Sequence, residues 1–260
     1  AHELIAQGVD VIKIIATGGN STPTSDPLEP AFSLPELRAI VDIAHDAGVP
    51  ATAHARGVKA IELLAESGID QIEHCRMEVA PGEWRFDEAL ARRLASNGIA
   101  AAPTLAASYR AMQRLAAGGE VGIRAGAIPI PVRQENARRL RDAGVSVVVG
   151  TDAGACLARF DEAAHLELEL LVEAGWSPLE AIAAGTLDAA KAIRREHDIG
   201  SIEPGKLADL LVVRGDPSRD ISAAREVEQV FLGGRAAIEG GNLADDARPS
   251  PWPWPRSEPR

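Results

Sequence analysis

Apolar and polar residues follow two kinds of pattern along the chain, one typical of strands and one typical of helices. Short runs rich in β-branched residues, such as VIKIIA (11–16) and VSVVVG (145–150), predict buried strands. Between the strands lie segments with apolar residues at helical spacing, such as LPELRAIVDIAHDAG (34–48), and most of them end in glycine. Strands that alternate with helices of this length predict βαβ units and a parallel sheet.

Five strands of this kind are expected. They lie in VIKIIA (11–16), VPATAHARG (49–57), IDQIEHC (69–75), IAAAPTL (99–105) and VSVVVGTDAG (145–154). A complete (β/α)8 barrel needs eight strands, so we expect an α/β fold that holds the C-terminal part of a TIM barrel, strands 4–8. An open doubly wound sheet is the structural alternative.

The pattern changes after Arg195. Short apolar runs separated by Gly and Pro turns predict a small β-domain. We therefore expect a partial barrel over 1–195, part of a β-sandwich domain over 196–240, and a disordered Pro-rich tail over 241–260. The opening AHELIAQG reads as the last turns of a helix and has no initial Met, so we expect a C-terminal fragment of a longer protein.

Composition narrows the classes of partner. A formal net charge of −11 leaves no basic face to neutralise phosphates, which argues against a nucleic-acid partner. No apolar run approaches the roughly 20 residues of a membrane span. Two cysteines, Cys75 and Cys156, are too few for a disulfide framework, which favours a reducing compartment such as the cytoplasm.

Ionisable residues stand at the ends of four of the five predicted strands: Lys13, His54, His74 and Asp152. Each has an ordinary structural explanation, because lysines reach to water, core histidines are common and Asp often starts a turn. In a barrel, however, the carboxyl ends of the strands converge on one axis, where active sites lie. His, His and Asp are also ordinary ligands of zinc, so the four residues together predict a metal site.

Three further residues are candidates for substrate binding. Arg56 has the same strand parity as His54 and is suited either to clamp a substrate carboxylate or to form a salt bridge with a loop carboxylate. Tyr109, the one tyrosine, follows the PTL strand and is suited either to a substrate carbonyl or to packing. His165 opens the helix after Asp152, where a substrate contact and a loop brace are equally consistent with its position.

The motifs VIKIIATGG, AHARG, IEHC, PTL, GTDAG and GSIEPGKLADLLVV, in this order, resemble the metal-dependent amidohydrolase superfamily. The resemblance is to its imidazolonepropionase-like branch, which includes Xaa-Pro dipeptidases (prolidases). It implies that Lys13 is carboxylated and bridges two Zn2+ ions, that His54 and His74 hold one metal, and that Asp152 is both a ligand and the catalytic base.

The resemblance also implies a reaction, the hydrolysis of an amide or peptide C–N bond by a metal-bound hydroxide. The expected substrate is a small-molecule amide or dipeptide, as in dipeptidases, carboxypeptidases and N-acyl amino acid amidohydrolases. A cyclic amide or imidazolone is the alternative. Two features depart from the branch: the sequence has no His-x-His strand, and Arg56 in HARG stands where many relatives read HAHG.

Two other hypotheses stay open. In the first, Lys13 is a Schiff-base nucleophile of a lyase, which leaves the histidines and Asp152 without a shared role. In the second, the chain is a truncated, inactive remnant. Self-association into a homo-oligomer also remains open.

Overall fold

The computed structural model describes residues 1–19, 24–120, 129–155, 158–240 and 242–243. The helices are α1 (His2–Ala6), α2 (Leu34–Asp46), α3 (Val58–Ala65), α4 (Glu88–Ser96), α5 (Leu105–Ala116), α6 (Ile130–Asp142), α7 (Ala163–Glu173), α8 (Pro178–Gly185) and α9 (Leu187–Ala192), with a 3-10 helix at Ile221–Arg225. The strands are β1 (Ile12–Ile15), β2 (Ala51–Gly57), β3 (Gln71–Ala80), β4 (Glu83–Trp84), β5 (Ala100–Ala102), β6 (Leu210–Val213), β7 (Val227–Leu232), β8 (Arg235–Glu239) and β9 (Asn242–Leu243).

The first sheet is parallel through the four strands that the sequence predicts before residue 110. Strands β1, β2, β3 and β5 pair side by side in that order, and the short β4 folds back antiparallel onto β3. The register places Ile15 beside His54 and His54 beside Glu73. The predicted α/β fold with a parallel sheet is therefore confirmed, and the carboxyl ends of its strands meet at one edge.

The fifth predicted strand, VSVVVG, forms only a single bridge. Val147 pairs with Ala101, whose N–H donates to Ser146 O and whose carbonyl accepts from Val148 N–H, both at 2.9 Å. The next amide, Val149 N–H, donates to Ala184 O of α8 at 3.0 Å, so the ladder stops there. Because no described strand pairs with its other edge, this segment runs beside the sheet without becoming a regular strand.

Burial alternates along β1, which corrects the expectation of a strand buried on both faces. Ile12 and Ile14 are buried, whereas Lys13 and Ile15 are exposed. The buried face packs against α2 and α3 in one apolar core. The other face carries Lys13 and is open to solvent in the described part of the chain, so the Lys13 side chain is not desolvated.

Local signals fix most of the helices. Helix α2 has Ser33 as its N-cap, with a capping box to Glu36, and has proline in its first turn. The glycines that follow α2, α3, α4 and α6 have φ between 70 and 93°, which confirms their predicted role as helix C-caps. Helix α5 was not predicted, and a break at Thr186 (φ −126°, ψ −93°) separates α8 from α9.

The second sheet is antiparallel, with β6, β7, β8 and β9 paired in chain order. It lies in the segment where the sequence predicts a small β-domain. The predicted Pro-rich tail lies outside the described residues apart from 242–243. None of the helices in the described ranges is both long enough and apolar enough to cross a bilayer.

Candidate active site

Two histidine rings meet at the carboxyl end of the parallel sheet. His54 near the end of β2 and His74 in β3 place Nδ1 and Nε2 respectively 2.9 Å apart. The rings lie edge to face, with centroids 4.5 Å apart and an interplanar angle of 77°. His74 is buried and His54 is half-buried. The structure therefore brings together the two histidines that the sequence predicts as metal ligands.

An irregular backbone turns His74 toward His54. The direct register partner of His54 is Glu73, and strict alternation would point His74 to the opposite face. His74, Cys75 and Met77 instead have φ of 67, 43 and 50°, in the left-handed region that residues with a Cβ rarely adopt. The pairing advances from Ala55 to Gly57 on β2 but from His74 to Glu78 on β3, which marks a bulge.

Hydrogen bonds orient both rings. His54 Nε2 lies 3.2 Å from Gly18 O, which can only accept, so Nε2 carries the proton. The Thr104 hydroxyl lies 2.8 Å from Pro103 O and 2.7 Å from His74 Nδ1, so when it donates to Pro103 O it accepts from His74 Nδ1–H. In that arrangement the two nitrogens that face each other, His54 Nδ1 and His74 Nε2, both present lone pairs.

Burial keeps both rings neutral. It lowers the pKa of His54 to about 4, with a smaller opposing effect from the Gly18 carbonyl and added repulsion from Arg56, Arg76 and Lys13. Burial, and then the positive charge of Arg76, hold the pKa of His74 well below its ordinary value. Two lone pairs that face each other without a proton between them repel, whereas two neutral imidazoles are a suitable donor pair for one divalent transition metal. The donor chemistry thus fits a metal.

Lys13 lies on the same face of the sheet as His54. It pairs in register with Thr52, whose hydroxyl donates to Glu73 Oε1 at 3.0 Å. The side chain of Gln71 donates to the same oxygen at 2.6 Å. The register sets Lys13 on this face, and its role as a bridging metal ligand stays a prediction.

Asp152 ends the segment that follows the Val147 bridge. Its backbone is left-handed, with φ 52°, and its side chain is exposed. In the described ranges, no third His, Cys, Asp or Glu joins the two histidines in a group able to hold a metal. The structure therefore does not bring Asp152 to the pair, and its role as ligand and base stays a prediction.

Arg56 is buried in an ion pair. Its guanidinium bonds to both oxygens of Glu78, at 2.7 and 2.9 Å from Nη2, and the two residues are 3% and 2% exposed. The bulge in β3 makes this pair possible because it sets Glu78 opposite Gly57. A salt bridge was one of the two predicted roles of Arg56, with a strand carboxylate in place of the expected loop carboxylate. Its substrate contact stays a prediction.

The two other predicted substrate contacts lie on helices. Tyr109 is half-buried on α5, with Arg110 5.9 Å from the centre of its ring. His165 is half-buried on α7, where burial and then the charge of Arg225 lower its pKa. Arg225 is the last residue of the 3-10 helix and pairs with Glu169 of α7. His165 therefore faces the 3-10 helix, which favours the bracing role.

Some residues of the site were absent from the predicted set. Thr104 ends the IAAAPTL run and is buried against His74, and Gly18 supplies the carbonyl that orients His54. A third, Glu167, is fully buried and bonds to the first amides of α5. Thr104 had a signal in its place near the end of the IAAAPTL run, and Glu167 had one because it stands on the apolar stripe of HLELELLVEAG with Leu170 and Leu171. Of the cysteines, Cys75 is buried, which raises the pKa of its thiol to about 12, and Cys156 lies outside the described residues.

Comparison with known sequences gives one family and several relatives. Residues 1–237 match the family described as "Amidohydrolase family". An imidazolonepropionase of Geobacillus kaustophilus is 35% identical over 153 residues, which are 56% of this chain and 35% of that protein. An ochratoxinase of Aspergillus niger is 27% identical over 258 residues, which are 94% of this chain and 50% of that protein.

Solved structures agree with the sequence matches. A Xaa-Pro dipeptidase with methionine bound in its active site superposes with a TM-score of 0.79 at 30% identity, over 90% of this chain and 56% of that one. The ochratoxinase structure superposes with a TM-score of 0.77 at 28% identity. The chain thus spans between about a third and just over half of the length of these relatives.

Proposed function

The chain belongs to the amidohydrolase family, and on that premise we propose that it forms part of a metal-dependent hydrolase that cleaves an amide or peptide C–N bond. The observation that carries the proposal is the pair of facing ring nitrogens, His54 Nδ1 and His74 Nε2, 2.9 Å apart at the carboxyl edge of the sheet. Two neutral imidazole nitrogens that converge in this way are a suitable donor pair for one divalent transition metal.

The chain's own side chains would divide the work. His54 and His74 would hold one metal through the facing nitrogens, and Gly18 O and Thr104 Oγ1 keep those nitrogens free of protons. Such a metal, when bound, supplies Lewis-acid polarisation of the scissile carbonyl and acidifies water. Lys13, as a carboxylated side chain, would bridge this metal to a second one, and Zn2+ is the proposed ion for both positions.

Asp152 is the proposed proton carrier. Its carboxylate would take a proton from the attacking water and return it to the leaving nitrogen, as a general base and then a general acid. Its position at the end of the bridge segment supports this role because barrel enzymes keep their chemistry at the carboxyl ends of strands. The proposed substrate is a Xaa-Pro dipeptide or an N-acyl amino acid. Similarity to an imidazolonepropionase keeps a cyclic amide as the second candidate.

Zinc binding by the full chain tests the site. We expect the chain to bind zinc in competition with a chromogenic chelator, and we expect His54→Ala and His74→Ala each to lose most of that binding. His45→Ala is the matched control, since His45 lies in the last turn of α2 and pairs with Asp70 away from the two rings. Equal zinc binding by all four proteins would contradict the proposed site.

Hydrolysis tests the reaction. The zinc-loaded protein is incubated with Xaa-Pro dipeptides, N-acyl amino acids and a cyclic imidazolone, and the new amine or carboxylate is quantified. We expect release from at least one class, and loss of that release with Lys13→Ala or Asp152→Asn. Zinc binding that persists without any hydrolysis in this panel would support the metal site but not the proposed substrates.

A further inference from the structure

Helix α5 begins directly behind His74 with an unusual cap. Its N-cap residue, Thr104, is buried in a left-handed conformation (φ 52°, ψ 50°) and makes no side-chain capping bond. A threonine at this position normally accepts from an amide of the first turn. Here its hydroxyl bonds to Pro103 O at 2.8 Å and lies 2.7 Å from His74 Nδ1, where it is placed to accept the proton of that nitrogen. The hydroxyl is thereby committed to the histidine and not to the helix.

A residue from another helix takes over the cap. Glu167 of α7 accepts from Leu105 N–H through Oε1 at 2.8 Å and from Ala106 N–H through Oε2 at 2.6 Å. Its side chain is fully buried among apolar neighbours of α7. A carboxyl group in such surroundings costs free energy unless it is hydrogen-bonded, and both of its oxygens bond to the start of α5.

We propose that Glu167 is a positioning residue of the metal site, a role that rests on the function proposed above. By capping α5 from α7, Glu167 releases the Thr104 hydroxyl to hold the proton of His74 on Nδ1. The lone pair of His74 Nε2 then points toward His54 and the metal. Glu167 touches neither histidine, and it acts only through Thr104.

Loss of Glu167 would change the hydrogen bonds of Thr104 and His74. Without Glu167, two buried amides at the start of α5 lack an acceptor, and the Thr104 hydroxyl is the capping group at hand. Once Thr104 turns to them, His74 Nδ1 loses its acceptor. The proton then moves to Nε2, which can donate to His54 Nδ1 at the present 2.9 Å separation. That hydrogen bond occupies both nitrogens that would hold the metal.

The tautomer of His74 is measured first, in the full chain without metal. Two-bond ¹H–¹⁵N correlations of ¹⁵N-histidine-labelled protein distinguish Nδ1–H from Nε2–H. We expect Nδ1–H in the wild type and a majority of Nε2–H in Glu167→Gln, which keeps the size of the side chain. Asp87→Ala is the matched control, because Asp87 caps α4 at Leu90 N in the same manner without touching Thr104 or His74. It should leave the tautomer unchanged.

Zinc affinity gives the second readout. We expect Glu167→Gln to weaken zinc binding about 10-fold to 100-fold, as is usual when a partner of a metal ligand is lost. Thr104→Val should weaken it equally, and Glu167→Gln in the Thr104→Val background should add no further loss. Additive losses, or a folded Glu167→Gln with the wild-type tautomer and affinity, overturn the proposal. If Glu167→Gln does not fold, Glu167→Asp, one methylene shorter, takes its place under the same criteria.

The two readouts separate this role from the proposed function. If the wild type binds no zinc but the tautomer shifts in Glu167→Gln, the metal site fails while the link from Glu167 through Thr104 to His74 stands. If the wild type binds zinc and the tautomer does not respond to Glu167, the metal site stands and the positioning role is overturned.

Discussion

The buried pair of Arg56 and Glu78 is expected to have a large effect on stability, and Arg76 lies 3.7 Å from the same carboxylate. Glu78→Gln leaves a buried guanidinium without its counter-charge, and such a loss typically costs about 3–5 kcal/mol. The double variant Arg56→Met/Glu78→Met should recover part of it, since apolar groups of similar size often replace a buried ion pair at little cost, although Arg76 also loses its contact with Glu78. Urea-induced unfolding of the variants measures both effects.

An exposed ion pair provides the control. Lys59 pairs with Glu29 on the surface, and Glu29→Gln should leave the free energy of unfolding nearly unchanged. Similar losses for Glu29→Gln and Glu78→Gln would mean that Glu78 is not the buried counter-charge described here. The same variants test the predicted contact of Arg56 with substrate. If Arg56 pairs with Glu78 and does not touch substrate, the double variant Arg56→Met/Glu78→Met should keep the KM of the wild type.

Glu167 also predicts a pH dependence of stability. Burial raises its pKa from 4.5 to about 8, against the two amide hydrogen bonds that lower it. Between pH 4.5 and about 8, the Glu167 carboxyl group keeps its proton in the folded state but has lost it in the unfolded state. The free energy of unfolding of the wild type should therefore fall, relative to that of Glu167→Gln, as the pH rises from 5 to 8. Thermal melts of both proteins at pH 5, 6.5 and 8 measure the difference. A constant difference would show that Glu167 titrates near its ordinary value in the fold.

Sequence patterns located the histidine pair but not its geometry. His54 and His74 end neighbouring parallel strands, and parallel strands bring such residues to one edge whatever the details. The left-handed backbone of His74 and the cap from Glu167 depend on contacts between residues far apart in the chain. Strand parity alone would have pointed the His74 ring away from His54, so this part of the site required the structure.

The junction of β2 and α3 leaves no room for a side chain at Gly57. A Cβ on Gly57 would lie 2.3 Å from Leu28 O, although φ of Gly57 is an ordinary −74°. Gly57→Ala must therefore displace the segment around Leu28, and overpacking of this kind costs about 1–3 kcal/mol. Gly19→Ala is the control, since among the described residues a Cβ there meets no atom closer than 3.9 Å. Equal unfolding midpoints for the two variants would contradict the close approach.

Local chemistry explains which elements were predicted. Helix α2 has a capping box and a terminal glycine, and β1, β2, β3 and β5 are short apolar runs between turn residues. These signals are local, and the elements formed where they predict. The 145–150 run has a stronger strand signal than β5 but forms one bridge, because a strand also needs a partner on which to extend its ladder. Helix α5 was missed because its cap comes from Glu167, 62 residues later than Leu105.

At the scale of the whole molecule, the sequence predicted the order of the two sheets along the chain. It did not predict the contacts between residues that are far apart in the chain. Asp70, just before β3, accepts from Ala51 N–H at 2.7 Å and from His45 Nε2 at 2.9 Å, and it also binds Arg194, which follows α9. Asp70 and Arg194 are 124 residues apart. No local pattern indicates that the chain returns to this point, where the amino ends of the strands meet the end of the helical layer.

Substitution of Asp70 therefore tests whether the first 195 residues are stabilised as one unit. Asp70→Ala removes the acceptor shared by α2, β2 and the residue after α9, and charged hydrogen bonds of this kind support an expected loss of about 3 kcal/mol. Amide hydrogen exchange should accelerate both at Ala51 and in α9, although the two segments are distant in sequence. Asp46→Ala serves as the control, because Asp46 is exposed at the end of the same helix α2, where a negative charge is not favoured. Faster exchange at Ala51 with unchanged exchange in α9 would show that Arg194 does not tie the last helices to the sheet.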